Sequence, residues 1–165
     1  MIKLNLQGFS EAEQLQSMVN VVGHLADEET DPLAIVANAM AVMNVYLKDI
    51  NWVGIYRLTG DQLKLGPFQG KPACMRIGPG EGVCGATIRE RRAYIVPDVL
   101  QFDGHIACDT DSRSEITIPI FYSGEILGLI DIDSPVLDRF APSHLVYFEA
   151  ISQFLSPNVA ALGAL

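Results

Sequence analysis

No run in this sequence approaches the roughly 20 apolar residues that a membrane-spanning helix needs. The opening MIKLNLQGFSEAEQ has no apolar core followed by a small-residue cleavage site, so no secretory signal is expected. Basic residues are scarce: 11 Lys and Arg face 20 Asp and Glu, a net charge of −9. That balance disfavours nucleic-acid phosphates and anionic membrane surfaces as partners. There are no repeats, no low-complexity tracts and no linker. Cysteine is limited to three, which does not make a static disulfide framework and fits a cytoplasmic chain. An odd count in a reducing compartment directs attention to free thiols, a metal site or redox catalysis.

What is present is a globular composition, 49% hydrophobic and 19% charged over 165 residues. One domain spanning 1–165 with a sizeable core is expected. Ser10 and Glu13 have the spacing of a capping box, and Leu15, Met18, Val22 and Leu25 recur at helical spacing. Asp31-Pro32 reads as an N-cap followed by proline in the first turn, with Leu33, Val36, Met40, Met43 and Leu47 as the stripe of a second helix.

Strand patterns follow. In Asn51–Leu58, Trp52, Gly54, Tyr56 and Leu58 share one face and Val53, Ile55 and Arg57 the other. A turn at Thr59–Asp61 leads to a strand over Gln62–Leu65, which Gly66-Pro67 and Gly70 interrupt. Ala73–Ile77 reads as a short strand containing Cys74. A glycine-rich loop, Gly78–Gly82, feeds a helix over Val83–Arg91 with Cys84 in its first turn. Ala93–Val96 and Glu115–Tyr122 are further strands, the second marked as edge-like or bulged by Pro119. Glu125–Ser134 alternates most clearly, with Leu127, Leu129, Asp131 and Asp133 on one face. A closing helix carries Leu145, Phe148, Ile151 and Leu155, and Pro157 should end or kink it. The apolar tail suits a last helical turn or a homodimer contact. The order defines an α+β fold: an antiparallel sheet of five to six strands with helices packed on its faces.

The chemistry-bearing stretch is Gln101–Glu115, QFDGHIACDTDSRSE. A polar connection this long between strands is unusual and tends to be functional. Cys108 sits in it among polar neighbours, where inert packing is less natural than for a strand cysteine. Cys74, in a strand, suits burial. Cys84, at a helix start, has a physical reason for a lowered pKa. His105 is either a loop hydrogen bonder or a base. His105, Cys108, Cys74 and Cys84 could together be a zinc set, but the paired short spacings of structural zinc sites are missing. Asp131 and Asp133 lie on one strand face, roughly 7 Å apart along the chain. In a partly dry pocket they would raise each other's pKa and attract an ammonium group. In water they are a solvated strand end.

The strings NWVGIY, LGPFQGKPAC, GEGVCG, FDGHIACD, SEI and LIDIDS resemble those of the free methionine-(R)-sulfoxide reductases, single-domain members of the GAF fold family. The resemblance runs from about Asn51 to Phe140, with all three cysteines in matching contexts. It implies an oxidoreductase that reduces free methionine-(R)-sulfoxide, needs no cofactor and no metal, and is recycled by thioredoxin. It implies Cys108 as nucleophile, Cys74 as resolving cysteine and Cys84 as an auxiliary thiol or second resolver. Glu115, Asp131 and Asp133 would bind the sulfoxide oxygen and the amine, and Trp52 and Tyr56 the methyl end. The competing class is a non-catalytic GAF module binding a small ligand such as a cyclic nucleotide.

Overall fold

A computed structural model describes residues 8–104 and 109–163. Two helices come first, α1 (Glu11–Glu28) and α2 (Pro32–Tyr46). Their starts are fixed locally. The Ser10 hydroxyl accepts from the Glu13 amide while Glu13 reaches back to the Ser10 amide, and the Asp31 carboxylate accepts from the Leu33 and Ala34 amides. Such side chains satisfy amides that a helix leaves unpaired at its first turn.

Six strands follow: β1 (Trp52–Thr59), β2 (Gln62–Gly70), β3 (Arg76–Ile77), β4 (Tyr94–Val96), β5 (Ser114–Tyr122) and β6 (Glu125–Ser134). They form one sheet in the order β3-β2-β1-β6-β5-β4, every neighbouring pair antiparallel. Helix α3 (Gly82–Glu90) lies between β3 and β4, and α4 (Leu145–Gly163) closes the chain.

The two faces of the sheet differ in kind. One face presents Val53, Ile55, Ile116, Ile118, Ile120, Ile130 and Ile132, all fully buried with α1, α2 and α4 in a single apolar core. The opposite face presents Trp52, Tyr56 and Leu129, packed with Cys84 of α3 and Ile77 of β3. Period-two alternation therefore assigns each strand residue to scaffold or to site.

Several expectations are corrected. Gly66 and Pro67 do not interrupt β2. The strand runs to Gly70, and the ladder slips between Gly54 and Tyr56, so the extra residues are absorbed as a bulge. The edge-like or bulged setting expected for Pro119 is met, although β5 lies between β6 and β4: the β5–β6 register shifts one residue on, at Ile120/Phe121. Strand β4 pairs only with Glu115, Ile116 and Thr117, so no ladder bond from residue 119 is required on that side. Leu127 packs into the helix-side core rather than beside Leu129, because the β5–β6 register shifts at Ile120/Phe121.

Pro157 neither ends nor breaks α4, which continues to Gly163. Proline at 157 removes the amide that would bond the Gln153 carbonyl. The Ser156 hydroxyl donates to that same carbonyl at 3.0 Å. Cys74 lies in the loop between β2 and β3, half-buried, and not within a strand.

Candidate active site

The β5–β6 ladder places Glu115 opposite Asp133 and Thr117 opposite Asp131. The β1–β6 ladder places Trp52 opposite Asp133 and Gly54 opposite Asp131. Three carboxyl groups thus stand on the face that the apolar core does not occupy. Glu115 and Asp131 are each 6% exposed.

Helix α3 is held over this face by a buried hydroxyl chain. Thr87 donates to its own helix at the Val83 carbonyl, 3.0 Å away, and bonds the Thr117 hydroxyl of β5. Cys84 lies one turn before Thr87, and Glu115 lies one same-face step before Thr117. The Thr87–Thr117 contact therefore sets Cys84 against Glu115, with the Cys84 thiol donating to Glu115 Oε1 at 3.8 Å. Cys84 Sγ and one oxygen each from Glu115 and Asp131 all lie within 4.8 Å of one another.

A small cavity, partly open to solvent, lies beside these groups. Its walls include Cys84, Glu115, Asp131 and Asp133, with Ile77 and Val83 as the apolar part. Glu81, Asp109 and Ser112 complete it, and the sequence reading did not place them in the site. Only weak signals pointed to them. Glu81 is the one charged residue within Gly78–Gly82, and its carboxylate accepts from the Gly78 amide at 2.8 Å. Asp109 and Ser112 are drawn in by Asn51, whose side-chain amide donates to Asp109 Oδ2 at 3.2 Å and to Ser112 Oγ at 3.0 Å.

Burial dominates the electrostatics. It raises the Glu115 carboxyl well above its ordinary value, helped by the charges of Asp131 and Asp133. It raises Asp133 likewise, helped by Asp131 and Asp109. Asp131 is pushed up to about 6, less far because it accepts from Cys84 and Glu115. Burial therefore favours the neutral form of Glu115 and Asp133 more strongly than that of Asp131, which is the member best suited to carry the negative charge. Asp131 Oδ1 is buried with no hydrogen-bond partner among the described residues. An orphaned buried acceptor of this kind is costly unless a ligand group completes it.

Cys84 departs from its expected chemistry. Burial, and then the charges of Asp131 and Glu115, raise its thiol well above the ordinary range. Its place at a helix start does not offset the three acids beneath it.

Trp52 and Tyr56 stand next to the carboxylates but do not line the cavity. They stack on each other with centroids 5.8 Å apart, and Trp52 stacks on Phe68 at 5.5 Å. A Cβ at Gly54 would lie 2.3 Å from the Trp52 ring, so glycine is what lets the indole lie along the strand. Both rings brace the segment carrying Cys74: the indole N–H donates to the Lys71 carbonyl at 3.2 Å, and the Tyr56 hydroxyl donates to the Cys74 carbonyl at 3.0 Å. Cys74 is held in a disulfide, and Cys84 is a free thiol. His105 and Cys108 lie outside the described residues.

The antiparallel sheet has helices packed on one face and a pocket under a short helix on the other, and the GAF domain family model matches residues 24–158, which makes the chain a GAF domain. A free methionine-R-sulfoxide reductase of Escherichia coli (strain K12) is 51% identical over 112 residues, 68% of each chain. The solved free methionine-R-sulfoxide reductase of Neisseria meningitidis, in complex with its substrate, is 33% identical and superposes over 100% of both chains with a TM-score of 0.91. The reduced form of the Staphylococcus aureus enzyme is 42% identical, covering 96% of this chain and 99% of that one, with a TM-score of 0.83. The chain belongs to the free methionine-R-sulfoxide reductase family and is a thiol-dependent oxidoreductase. No helix among the described residues is long and apolar enough to cross a membrane.

Proposed function

We propose that this protein reduces free L-methionine-(R)-S-oxide to L-methionine, with Cys108 as nucleophile and Cys74 as resolving thiol. The observation that carries the reading is the acid cluster Glu115, Asp131 and Asp133 lining one pocket, with Asp131 Oδ1 buried and unpartnered among the described residues. A free amino acid brings an ammonium group that would complete Asp131. A methionine residue inside a polypeptide has no such group.

The residues divide the work by protonation state. Asp131, the anion, pairs with the ammonium. Glu115, whose neutral form burial favours, supplies the proton that the sulfoxide oxygen needs. Asp133 opposite it helps hold that proton. Cys84 donates to Glu115 and keeps its carboxyl aimed into the cavity. Trp52 and Tyr56 act from outside the cavity wall, anchoring the Cys74 segment.

The Cys108 thiolate attacks the sulfoxide sulfur as Glu115 protonates the oxygen. The sulfur–oxygen bond breaks, the oxygen passes to Cys108 as a sulfenic acid, and methionine leaves with its sulfur reduced by two electrons. The Cys74 thiol then displaces water from the sulfenic acid, forming a Cys74–Cys108 disulfide. An external dithiol, thioredoxin, reduces that bond. Cys74 in a disulfide beside a free Cys84 supports this division of labour.

The test couples thioredoxin, its reductase and NADPH to free methionine-(R)-sulfoxide. NADPH oxidation is expected with wild type and not with Cys108→Ser. Equal rates for the two proteins, or none with wild type, would reject the reading. Mass spectrometry after one equivalent of substrate should find Cys74 joined to Cys108.

A further inference from the structure

We infer that Cys84, Glu115 and Asp131 form a binding site for a soft divalent cation, Zn²⁺ or Cd²⁺, that occupies the cavity in place of an amino acid. The binding part of this inference stands apart from the proposed activity, and only its inhibitory consequence rests on that reading.

The ligand set has the right span. The Cys84 sulfur and the Glu115 oxygen are 3.8 Å apart, and the three donor atoms lie within 4.8 Å of one another. In a tetrahedral centre with a metal–sulfur bond of about 2.3 Å and metal–oxygen bonds of about 2.1 Å, sulfur and oxygen ligands stand about 3.6 Å apart. The Cys84–Glu115 pair is within a few tenths of an ångström of that span, and the pairs to Asp131, within 4.8 Å, would close by about an ångström of side-chain adjustment. A fourth position remains on the cavity side for water or for Asp133, which lines the same space.

A second observation points to a ligand. Asp131 is 6% exposed, and its Oδ1 has no partner among the described residues. That atom is an acceptor already out of water, so coordination would not incur a fresh desolvation cost. The group as it stands is held together by shared protons, with the Cys84 thiol donating to Glu115. A divalent cation would replace those protons and reverse the local preference, favouring thiolate and carboxylate. One thiol with two carboxylates selects zinc or cadmium over magnesium or calcium, which take all-oxygen shells.

The position is shared with the group proposed to receive the substrate ammonium. Cation and substrate would therefore exclude each other. The protein would lose turnover as free zinc or cadmium rises and regain it when the ion is chelated, with no covalent change.

The experiment uses oxidised protein, in which thiol titration after unfolding should count one thiol per chain, Cys84. Cd²⁺ is added and the ultraviolet thiolate-to-cadmium charge-transfer band recorded. One cadmium per chain is expected, with the band lost in Cys84→Ala and the affinity lowered about tenfold or more in Asp131→Asn. Mg²⁺ in excess should leave the band unchanged, and free methionine should displace the ion from wild type. Circular dichroism shows whether each variant is folded, and the methionine competition keeps the test decisive on wild type alone. Absence of the band in wild type would overturn the inference. So would a band that survives Cys84→Ala, whereas a band that methionine fails to displace would overturn the shared position of cation and amino acid. In the coupled assay Zn²⁺ should raise the apparent KM for sulfoxide and leave kcat unchanged. Because the cadmium band is read without turnover, it reports on the site even if the proposed activity is wrong.

Discussion

Glu115 stands directly opposite Asp133 in the β5–β6 ladder, Glu115 buried and Asp133 half-buried. Two carboxyl groups facing each other across a strand pair cannot both ionise cheaply. Sharing of a proton by this pair is therefore favoured, which makes Glu115 the candidate acid. Glu115→Gln keeps the shape and removes the transferable proton. It should lower kcat by about 10²- to 10⁴-fold with a smaller effect on KM. Steady-state assays with the thioredoxin couple would measure both.

Asp131 has a different expected signature. Asp131→Asn removes the anion proposed to receive the ammonium group, so KM should rise about tenfold or more while kcat falls less. The discriminating measurement compares methionine-(R)-sulfoxide with its N-acetyl form. Wild type should reject the acetylated compound strongly, and the variant should distinguish the two poorly. A variant that keeps the full preference would remove Asp131 from amine recognition.

The same residue sets a stability profile. Its carboxyl shifts from an ordinary 3.8 to about 6 in the folded protein. The folded state thus binds the proton more tightly than the unfolded chain. This contribution is full below about pH 4 and is lost as pH rises to about 6 and beyond. At about 1.4 kcal/mol per pH unit, the loss is on the order of 3 kcal/mol. Urea unfolding of wild type and Asp131→Asn between pH 4 and 7 should show the gap moving in favour of the variant as pH rises.

Lys71 joins the two loops that carry the proposed reacting cysteines. Its ammonium pairs with Asp109 at 3.3 Å and with Asp111, while Cys74 lies three residues along its own segment. These pairs are exposed, so little effect on global stability is expected from Lys71→Ala. The disulfide-forming step should slow several-fold, with methionine release in the first turnover unchanged. Lys71→Arg should restore the rate, and added salt should slow wild type toward the alanine variant. Rapid quench with mass spectrometry separates the two steps.

Gly128 occupies the β6 bulge at φ +153°, and an added Cβ would lie 2.1 Å from the Tyr56 carbonyl oxygen. Gly128→Ala should cost roughly 2–4 kcal/mol, because neither the backbone angle nor the neighbouring strand can yield. Thermal unfolding by calorimetry would check this.

Much of the architecture was legible because the strands alternate cleanly. Ile116, Ile118 and Ile120 could face only a core, which sent Glu115 and Thr117 to the other side. The same alternation in β6 paired Asp131 with Asp133 on the site face. Failures came where non-local neighbours decide. A helix-start position argued for an acidic thiol at Cys84, but three carboxyl groups from other strands sit beneath it, and sequence distance hides them. Leu127 was misassigned because a single extra residue reverses the faces of all that precede it. Pro157 was misread because its rescue depends on the hydroxyl of Ser156. Glu81, Asp109 and Ser112 carry no periodicity, so their arrival at the cavity was invisible without the loop geometry.

The unequal faces of the sheet have a consequence for how this protein tolerates change. One side is a layer dominated by isoleucine and valine against three helices, and the other holds the cluster of Cys84, Glu115, Asp131 and Asp133. The backbone plane works as a partition between durability and reactivity. Within a single strand such as β5, inactivating substitutions should fall on odd-numbered residues and unfolding ones on even-numbered residues. A deep mutational survey scoring abundance and turnover separately would print that two-residue rhythm along the chain. Evolution could then retune the chemistry on one side of the partition without renegotiating the fold on the other.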